Sequence, residues 1–376
     1  MKKMLLAPDK FKGSLTGLEF CEAVEAGIRQ VFNEVEIIKS PLADGGDGTI
    51  EVVRYYLNAE TVQLTVNDPL FRSIQASYLF SPSSRTAYIE MAEASGLKVL
   101  QEHEKNCMQT TTLGTGQLIA DAIDKGAKEI ILGIGGSATN DAGMGMATAL
   151  GFRFLDEHGK ALSPVGANLL HVSRIDTSEV IPKLKDVLFK VACDVTNPFY
   201  GQNGAAHIYA GQKGASEDEI ELLDKGLKSF AGVLKEQFKI DVQQISGAGA
   251  AGGMGAAACI FLNAELASGI ELVKDLANFD SIIKGADWII TGEGKLDDQT
   301  LSGKAIQGVL DSAHKFGIPV AAFCGSIEIS ESTVEKLGLS YWVSVSRDMP
   351  NLEEALKHSY TNVVKAAADF AEKQLK

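Results

Sequence analysis

Positive charge is in short supply in this chain: 35 Lys and Arg stand against 49 Asp and Glu, a formal charge of -14 over 376 residues. An acidic chain has no general electrostatic route to phosphate backbones or anionic membranes, and no local basic patch offsets the balance. Nucleic-acid and membrane partners are therefore not expected, and an anionic substrate would need a few selected Lys and Arg in a cleft. Cysteine is sparse as well. The five residues (Cys21, Cys107, Cys193, Cys259, Cys324) are widely spaced and form no CxxC or Cys/His cluster. That argues against structural zinc and for reduced thiols in the cytosol. The longest uncharged stretch, 246–263, is mostly Gly and Ala, too weakly apolar to span a bilayer. Asp9 and Lys10 interrupt the apolar start, so no signal peptide is read there and a cytoplasmic protein is expected.

Several catalytic signatures are also missing. The Gly-Lys dipeptides at 159, 294 and 303 are not followed by Ser or Thr, so there is no Walker A, and the protein-kinase set is absent. No Ser-His-Asp arrangement can be argued from spacing. His207 is the best placed of the six histidines, yet a lone His beside Gly-Ala-Ala is more often structural. What remains is an ordinary globular composition, 45% apolar and 22% charged. The length suggests about two domains.

Both ends of the chain alternate strand and helix. A strand at 4–7 leads to a helix with Leu15, Leu18, Val24, Ile28 and Val31 at helical spacing, with Thr16 and Glu19 as a capping box. A strand at 35–40 and a helix from about Asp47 to Leu57 follow. Near the other end, strands at 288–291, 320–324 and 341–345 alternate with helices at 302–316 and 332–338, and one long helix starts near Asn351. The alternation predicts a five-stranded doubly wound α/β domain of flavodoxin type, discontinuous over 1–62 and 286–376. The middle, 63–285, reads as a large inserted α+β domain. It opens with an antiparallel meander at 61–66, 73–80 and 86–91.

In an open doubly wound sheet, ligands bind beyond the carboxyl ends of the strands, where strand order reverses. The loops expected there are Pro8-Asp-Lys-Phe-Lys-Gly-Ser14 and Gly292-Glu-Gly-Lys-Leu-Asp-Asp-Gln299, both charged and both carrying glycine. Their lysines suit an anion, and their carboxylates suit magnesium or a proton. Pro41-Leu-Ala-Asp-Gly-Gly-Asp-Gly48 offers a backbone nest with two carboxylates. The sharpest local signal is Gly133-Ile-Gly-Gly-Ser-Ala-Thr-Asn-Asp141, which puts three glycines and a polar run directly after a strand. Backbone N–H groups there can face a phosphate. Gly247-Ala-Gly-Ala-Ala-Gly252 matches the dinucleotide fingerprint literally, but its approach, Val242-Gln-Gln-Ile-Ser, interrupts the buried strand the fingerprint needs. Asp194 ends a strand at 188–193; it either caps a turn or serves magnesium or base chemistry.

These strings converge. With Cys193-Asp-Val-Thr-Asn-Pro198, Gly211-Gln-Lys-Gly-Ala215 and Thr291-Gly-Glu-Gly-Lys-Leu-Asp-Asp-Gln299, the chain resembles the bacterial class I glycerate kinases over nearly its whole length. The resemblance implies phosphorylation of D-glycerate by ATP, usually to 2-phosphoglycerate, with magnesium, in a cleft between two domains. It leaves room for a homo-oligomer. Lys10 stands where the family commonly has Ser, so Lys12 is the stronger cation. Lys295 stands where Arg is common, keeping the charge but losing the bidentate fork.

On that footing Lys12, Asp194, Glu293 and Lys295 are the expected catalytic residues. Asp9, Ser14, Asp44 and Lys304 are expected at the substrate. Gly135, Gly136, Ser137, Asn140 and Asp141 are expected at the ATP phosphates, and Asp44 and Asp194 at magnesium. A nicotinamide-dependent oxidoreductase and a non-catalytic small-molecule sensor are the competing readings.

Overall fold

The computed structural model describes residues 1–46, 48–297, 305–347 and 349–375. Expected site residue Lys304 and the expected helix start at Asp47 lie outside the described residues. The first strands in chain order are β1 (Lys2–Leu6), β2 (Val35–Lys39), β3 (Glu60–Asn67), β4 (Ser73–Ser81), β5 (Thr86–Glu90) and β6 (Glu129–Gly133). Next come β7 (Arg153–Leu155), β8 (Arg174–Asp176), β9 (Leu188–Ala192) and β10 (Glu265–Ala267). The last three are β11 (Trp288–Leu296), β12 (Val320–Ile327) and β13 (Tyr341–Ser344).

Met1–Tyr56 and Gly269–Lys376 form one compact unit, and Leu57–Ser268 forms another. These edges differ from the expected 62/63 and 285/286. Residues 57–62 go with the second unit because β3 starts at Glu60 and pairs with β4 along its length. Residues 269–285 go with the first because Ile270, Val273, Phe279 and Ile283 pack with Ile289, Ile306 and Val309.

The first unit holds a sheet of order β13-β12-β11-β1-β2 with every neighbouring pair parallel. Side chains alternate across each strand, so β1 sends Met4 and Leu6 to one face and Leu5 to the other. One face carries Phe20, Val24, Ile28, Phe323 and Phe370, and the opposite one Ile306, Val309, Val320 and Ala322. Helices thus cover both faces, as a fully buried parallel sheet requires. Helix Gly17–Val31 opens with the capping box expected of Thr16 and Glu19, a feature worth about 1 kcal/mol. The helix expected at 332–338 runs Glu331–Leu337 and is capped by Ser330, whose hydroxyl accepts from Thr333 N–H. The long terminal helix is two, Leu352–Lys357 and Ser359–Gln374, broken at His358.

The largest departure concerns 292–296. That segment is strand, because β11 runs on to Leu296 and pairs with β12 through Gly292↔Phe323, Glu293↔Cys324 and Lys295↔Ser326. The glycines that suggest a loop act here as packing residues. A Cβ on Gly292 would lie 2.2 Å from the Phe323 carbonyl oxygen and 2.8 Å from the Phe20 ring.

The second unit carries a mixed sheet of order β10-β9-β6-β5-β4-β3. Its β3-β4-β5 part is the antiparallel meander read from the sequence, and β5, β6, β9 and β10 are parallel neighbours. A two-stranded β7-β8 ribbon stands apart from it. Among the described residues no helix is long and apolar enough to cross a membrane.

Candidate active site

In the first unit, β1 lies between β2 and β11, so sheet order reverses there and the segments leaving β1 and β11 emerge side by side. Backbone bonds continue past the strands: Ala7 N–H donates to Ile290 O at 2.8 Å and Asp9 N–H to Gly292 O at 2.9 Å. Asp9 is thereby set beside Glu293. Beyond it, Phe11 and Leu15 close a small loop through Phe11 N–H to Leu15 O at 2.8 Å and Leu15 N–H to Phe11 O at 3.1 Å. Phe11 is buried and stacks on Phe20 with ring centroids 5.2 Å apart. With its two apolar ends anchored, the loop presents Lys12, exposed, and Ser14, half-buried.

These elements surround a cavity of about 570 Å³ lined by Asp9, Lys12, Ser14, Asp44, Glu293 and Lys295. All six belong to the expected site, and all lie in the first unit. The cavity also takes in Lys10, Ser326, Glu328 and Ser346, which the sequence reading did not single out as site residues. Ser326 and Glu328 sit at or just past the end of β12, a position no local motif marks.

Electrostatically the cavity is divided. Asp9 is half-buried and its carboxyl is pushed up to about 7, first by burial and then by the neighbouring charge of Asp44, with Glu293 adding to it. The Lys10 N–H at 2.7 Å and the Lys10 charge oppose the shift without cancelling it. Glu293 is only 8% exposed. Asp44 Oδ1 accepts from Gly46 N–H at 2.9 Å, which holds the 44–46 turn. Lys12 forms no ion pair among the described residues. Lys295 is engaged: its Nζ lies 2.8 Å from Glu328 and 3.6 Å from Asp297, and the Glu328 hydrogen bond holds its pKa above the usual lysine range. The cavity thus offers an anion three lysines, Lys10 beside Asp9, the uncommitted Lys12 and the engaged Lys295, with a carboxyl poised to exchange a proton near neutrality.

The second unit builds a different feature at the carboxyl end of β6. Gly135 and Gly136 are exposed and turn the chain, with Gly136 at φ +68, a left-handed conformation that disfavours side chains. The turn is pinned by Leu97 N–H to Gly136 O at 2.9 Å and Ala138 N–H to Ser95 O at 2.9 Å. The N–H groups of Gly135, Gly136 and Ser137 donate to no acceptor among the described residues. Three successive free N–H groups in such a turn are the kind of donors from which anion-binding concavities are built. Ser137 is 6% exposed, and Asn140 is fully buried with neither side-chain polar atom partnered.

Asp141 departs from its expected place at the phosphates. Its buried carboxylate accepts from Thr112 N–H and Oγ1 at 2.8 Å each, Gly145 N–H at 3.0 Å and Gly143 N–H at 3.2 Å. Those bonds use its lone pairs to staple residues 141–145 to Thr112. Burial raises its pKa while the four donors oppose the rise. Asp194, two residues past β9, is exposed. Glu90, at the end of β5, went unnoticed in the sequence. It is half-buried, its carboxyl accepts from the Tyr88 hydroxyl, and burial raises its pKa. Among the described residues no group of three or more His, Cys, Asp or Glu is arranged to hold a metal ion.

The dinucleotide-like string does not have the strand–turn–helix setting it needs. Residues 242–244 form a 3-10 turn, and Ala251, Gly252 and Gly253 all take left-handed angles. A Cβ on Gly252 would meet Thr139 O at 2.1 Å and one on Gly249 would meet Pro198 O at 2.2 Å, so these glycines serve packing. This removes the main support for a nicotinamide-dependent reading.

Comparison with known proteins agrees across nearly all of the chain. Residues 4–374 match the model of the glycerate kinase family. A glycerate kinase of Bacillus cereus is 44% identical over 98% of this chain and 97% of its own length. A glycerate 2-kinase of Escherichia coli is 42% identical over 98% of this chain and 97% of its own. A crystal structure from Salmonella typhimurium, provisionally named glycerate kinase 2, superposes with a TM-score of 0.89 at 40% identity, covering 99% of this chain and 98% of that one.

Proposed function

Because the chain belongs to the glycerate kinase family, we propose that it transfers the γ-phosphoryl group of ATP to a hydroxyl of D-glycerate, giving 2-phosphoglycerate. The observation that carries this reading is one cavity of about 570 Å³ shared by Asp9, Lys12, Asp44, Glu293 and Lys295. That charge pattern suits a three-carbon acid whose carboxylate needs a cation and whose hydroxyl needs a base, and the volume leaves room for more than the acid alone. We read the first unit as a flavodoxin-like domain and the second as its insertion. The parallel order β2-β1-β11-β12-β13 supports that reading.

Lys12 takes the glycerate carboxylate, with Ser14 beside it. Lys295 joins when it exchanges Glu328 for substrate. Asp9 accepts the hydroxyl proton as the glycerate oxygen bonds to the γ-phosphorus and the bond to the ADP oxygen breaks. A pKa of about 7 suits a general base working near neutrality. Glu293 and, until it takes a cation, Asp44 keep that pKa high. The N–H groups of 135–137 and the Asn140 side chain hold the nucleotide's phosphates, and such positioning with charge neutralisation is most of what phosphoryl transfer requires. Magnesium, as the partner of ATP, neutralises phosphate charge when bound. Oxygen donors suit it, and we assign the cavity carboxylate Asp44 to it.

The test is incubation with D-glycerate and Mg-ATP, followed by phosphorus NMR of the product. Phosphate on the 2-hydroxyl supports the full reading, and phosphate on the 3-hydroxyl overturns the regiochemistry alone. Binding of glycerate without any phosphorylated product would make the protein a small-molecule sensor instead.

A further inference from the structure

Beneath the 135–141 turn lies a lysine that the proposed mechanism does not use. Lys213 is 2% exposed, and its Nζ donates to Ser137 Oγ at 2.7 Å and to the Thr139 carbonyl oxygen at 2.8 Å. Its backbone is tied in turn, with Lys213 O accepting from Cys107 N–H at 3.1 Å. No carboxylate pairs with the ammonium among the described residues. A buried cation without an anionic partner is costly, and protein interiors normally compensate it. Here both acceptors are neutral, and both belong to the turn whose outer N–H groups are free. Next to them, Asn140 keeps a fully buried amide with neither atom bonded, and Thr139 Oγ1 is equally unpartnered. Cation, free N–H groups and unpaired amide are thus gathered on one short segment.

We propose that Lys213 is the positioning residue of the phosphate-binding turn, its buried ammonium fixing Ser137 and Thr139 and supplying the positive charge that a bound polyphosphate balances. This deepens the assignment of 135–140 to the nucleotide and rests on it. Two titratable groups face the ammonium, Cys107 from the segment before helix Leu113–Asp124 and Asp141 from the turn itself. Burial nonetheless brings the Lys213 pKa down to about 8. The free protein therefore loses this charge as pH rises past 8, and with it the compensation for an anion.

The experiment measures the Kd of ATP and of inorganic tripolyphosphate by calorimetry for the wild type, Lys213→Met, Lys213→Arg and Gly136→Ala. Lys213→Met should weaken both ligands at least tenfold and raise the KM for ATP in parallel, with the KM for glycerate unchanged within twofold. Lys213→Arg should recover most of the loss. In the wild type, tripolyphosphate affinity should fall between pH 7 and pH 9.5 with a midpoint near 8, a readout that stands even if a variant does not fold. Wild-type affinity in folded Lys213→Met, or a flat pH response, overturns the proposal. Unchanged affinity in Gly136→Ala overturns the placement of phosphates on the turn itself, which is a separate failure.

Discussion

Asp9 and Asp44 line the same cavity, and the charge on Asp44 makes Asp9 harder to ionise, second only to burial among the causes that bring its carboxyl to about 7. In the sequence the two lie on separate loops, after the first and second strands. Burial and their meeting together convert an ordinary acid into a group that can take and release a proton at cellular pH.

Activity should therefore follow the ionisation of Asp9. As a base it must be deprotonated, so kcat/KM rises with pH through about 7 with a slope of one and then levels. Asp9→Asn should lower kcat on the order of 10²- to 10⁴-fold, the usual contribution of a general base. A variant that keeps wild-type kcat moves the base to Glu293 or Asp44.

Stability should move oppositely. The folded carboxyl holds its proton to about 7, whereas in the unfolded chain it is released near 3.8, so stability falls as pH climbs between those values. Above pH 7 the whole penalty is present. Asp9→Asn removes it, and thermal unfolding should show a higher Tm for the variant at pH 8 and no gain at pH 4.

Of the three cavity lysines, Lys12 and Lys295 should not be equivalent. Lys12 is uncommitted among the described residues, while Lys295 already has Glu328 at 2.8 Å. A hydrogen bond to a charged group is worth about 1.5–3 kcal/mol, so Lys12→Met should raise the KM for glycerate roughly 10- to 100-fold. Lys295→Met should cost less, because its contact with substrate must first displace Glu328. Steady-state kinetics with glycerate varied decides the order.

Neighbours on the second unit's turn should separate cleanly. Asp141→Ala strips four donors of their buried acceptor and should destabilise by about 3 kcal/mol or more in urea unfolding. Asn140→Ala removes a side chain whose buried amide has no partner, so stability should stay within about 1 kcal/mol while the KM for ATP rises. The reverse pattern would exchange their roles.

Close packing at β11 gives a further test. Gly292→Ala places a methyl 2.2 Å from Phe323 O, forcing β11 and β12 apart beside Glu293. The expected loss is about 1–3 kcal/mol together with reduced kcat. Unfolding and kinetics on the same preparation would show whether both fall.

Local features of this chain were legible because they are short-range. The Thr16–Glu19 capping box and the meander of β3 to β5 depend on neighbouring residues and on periodicity. So did the charged segments after β1 and β2 that bear Asp9, Lys12 and Asp44. The segment 292–296 was misjudged because glycine carries two meanings, a turn or a close approach, and only the partner strand distinguishes them.

Sequence alone determined the chemical inventory: an acidic chain with a few lysines on glycine-bearing loops, and one polar run after a strand. The tertiary structure decided which of those groups act together. Proximity sets the Asp9 pKa, frees Lys12 while engaging Lys295, turns Asp141 into a staple and buries Lys213 under a turn 76 residues away in sequence. Each of those outcomes depends on distance and dielectric, quantities that a linear string of residues does not carry.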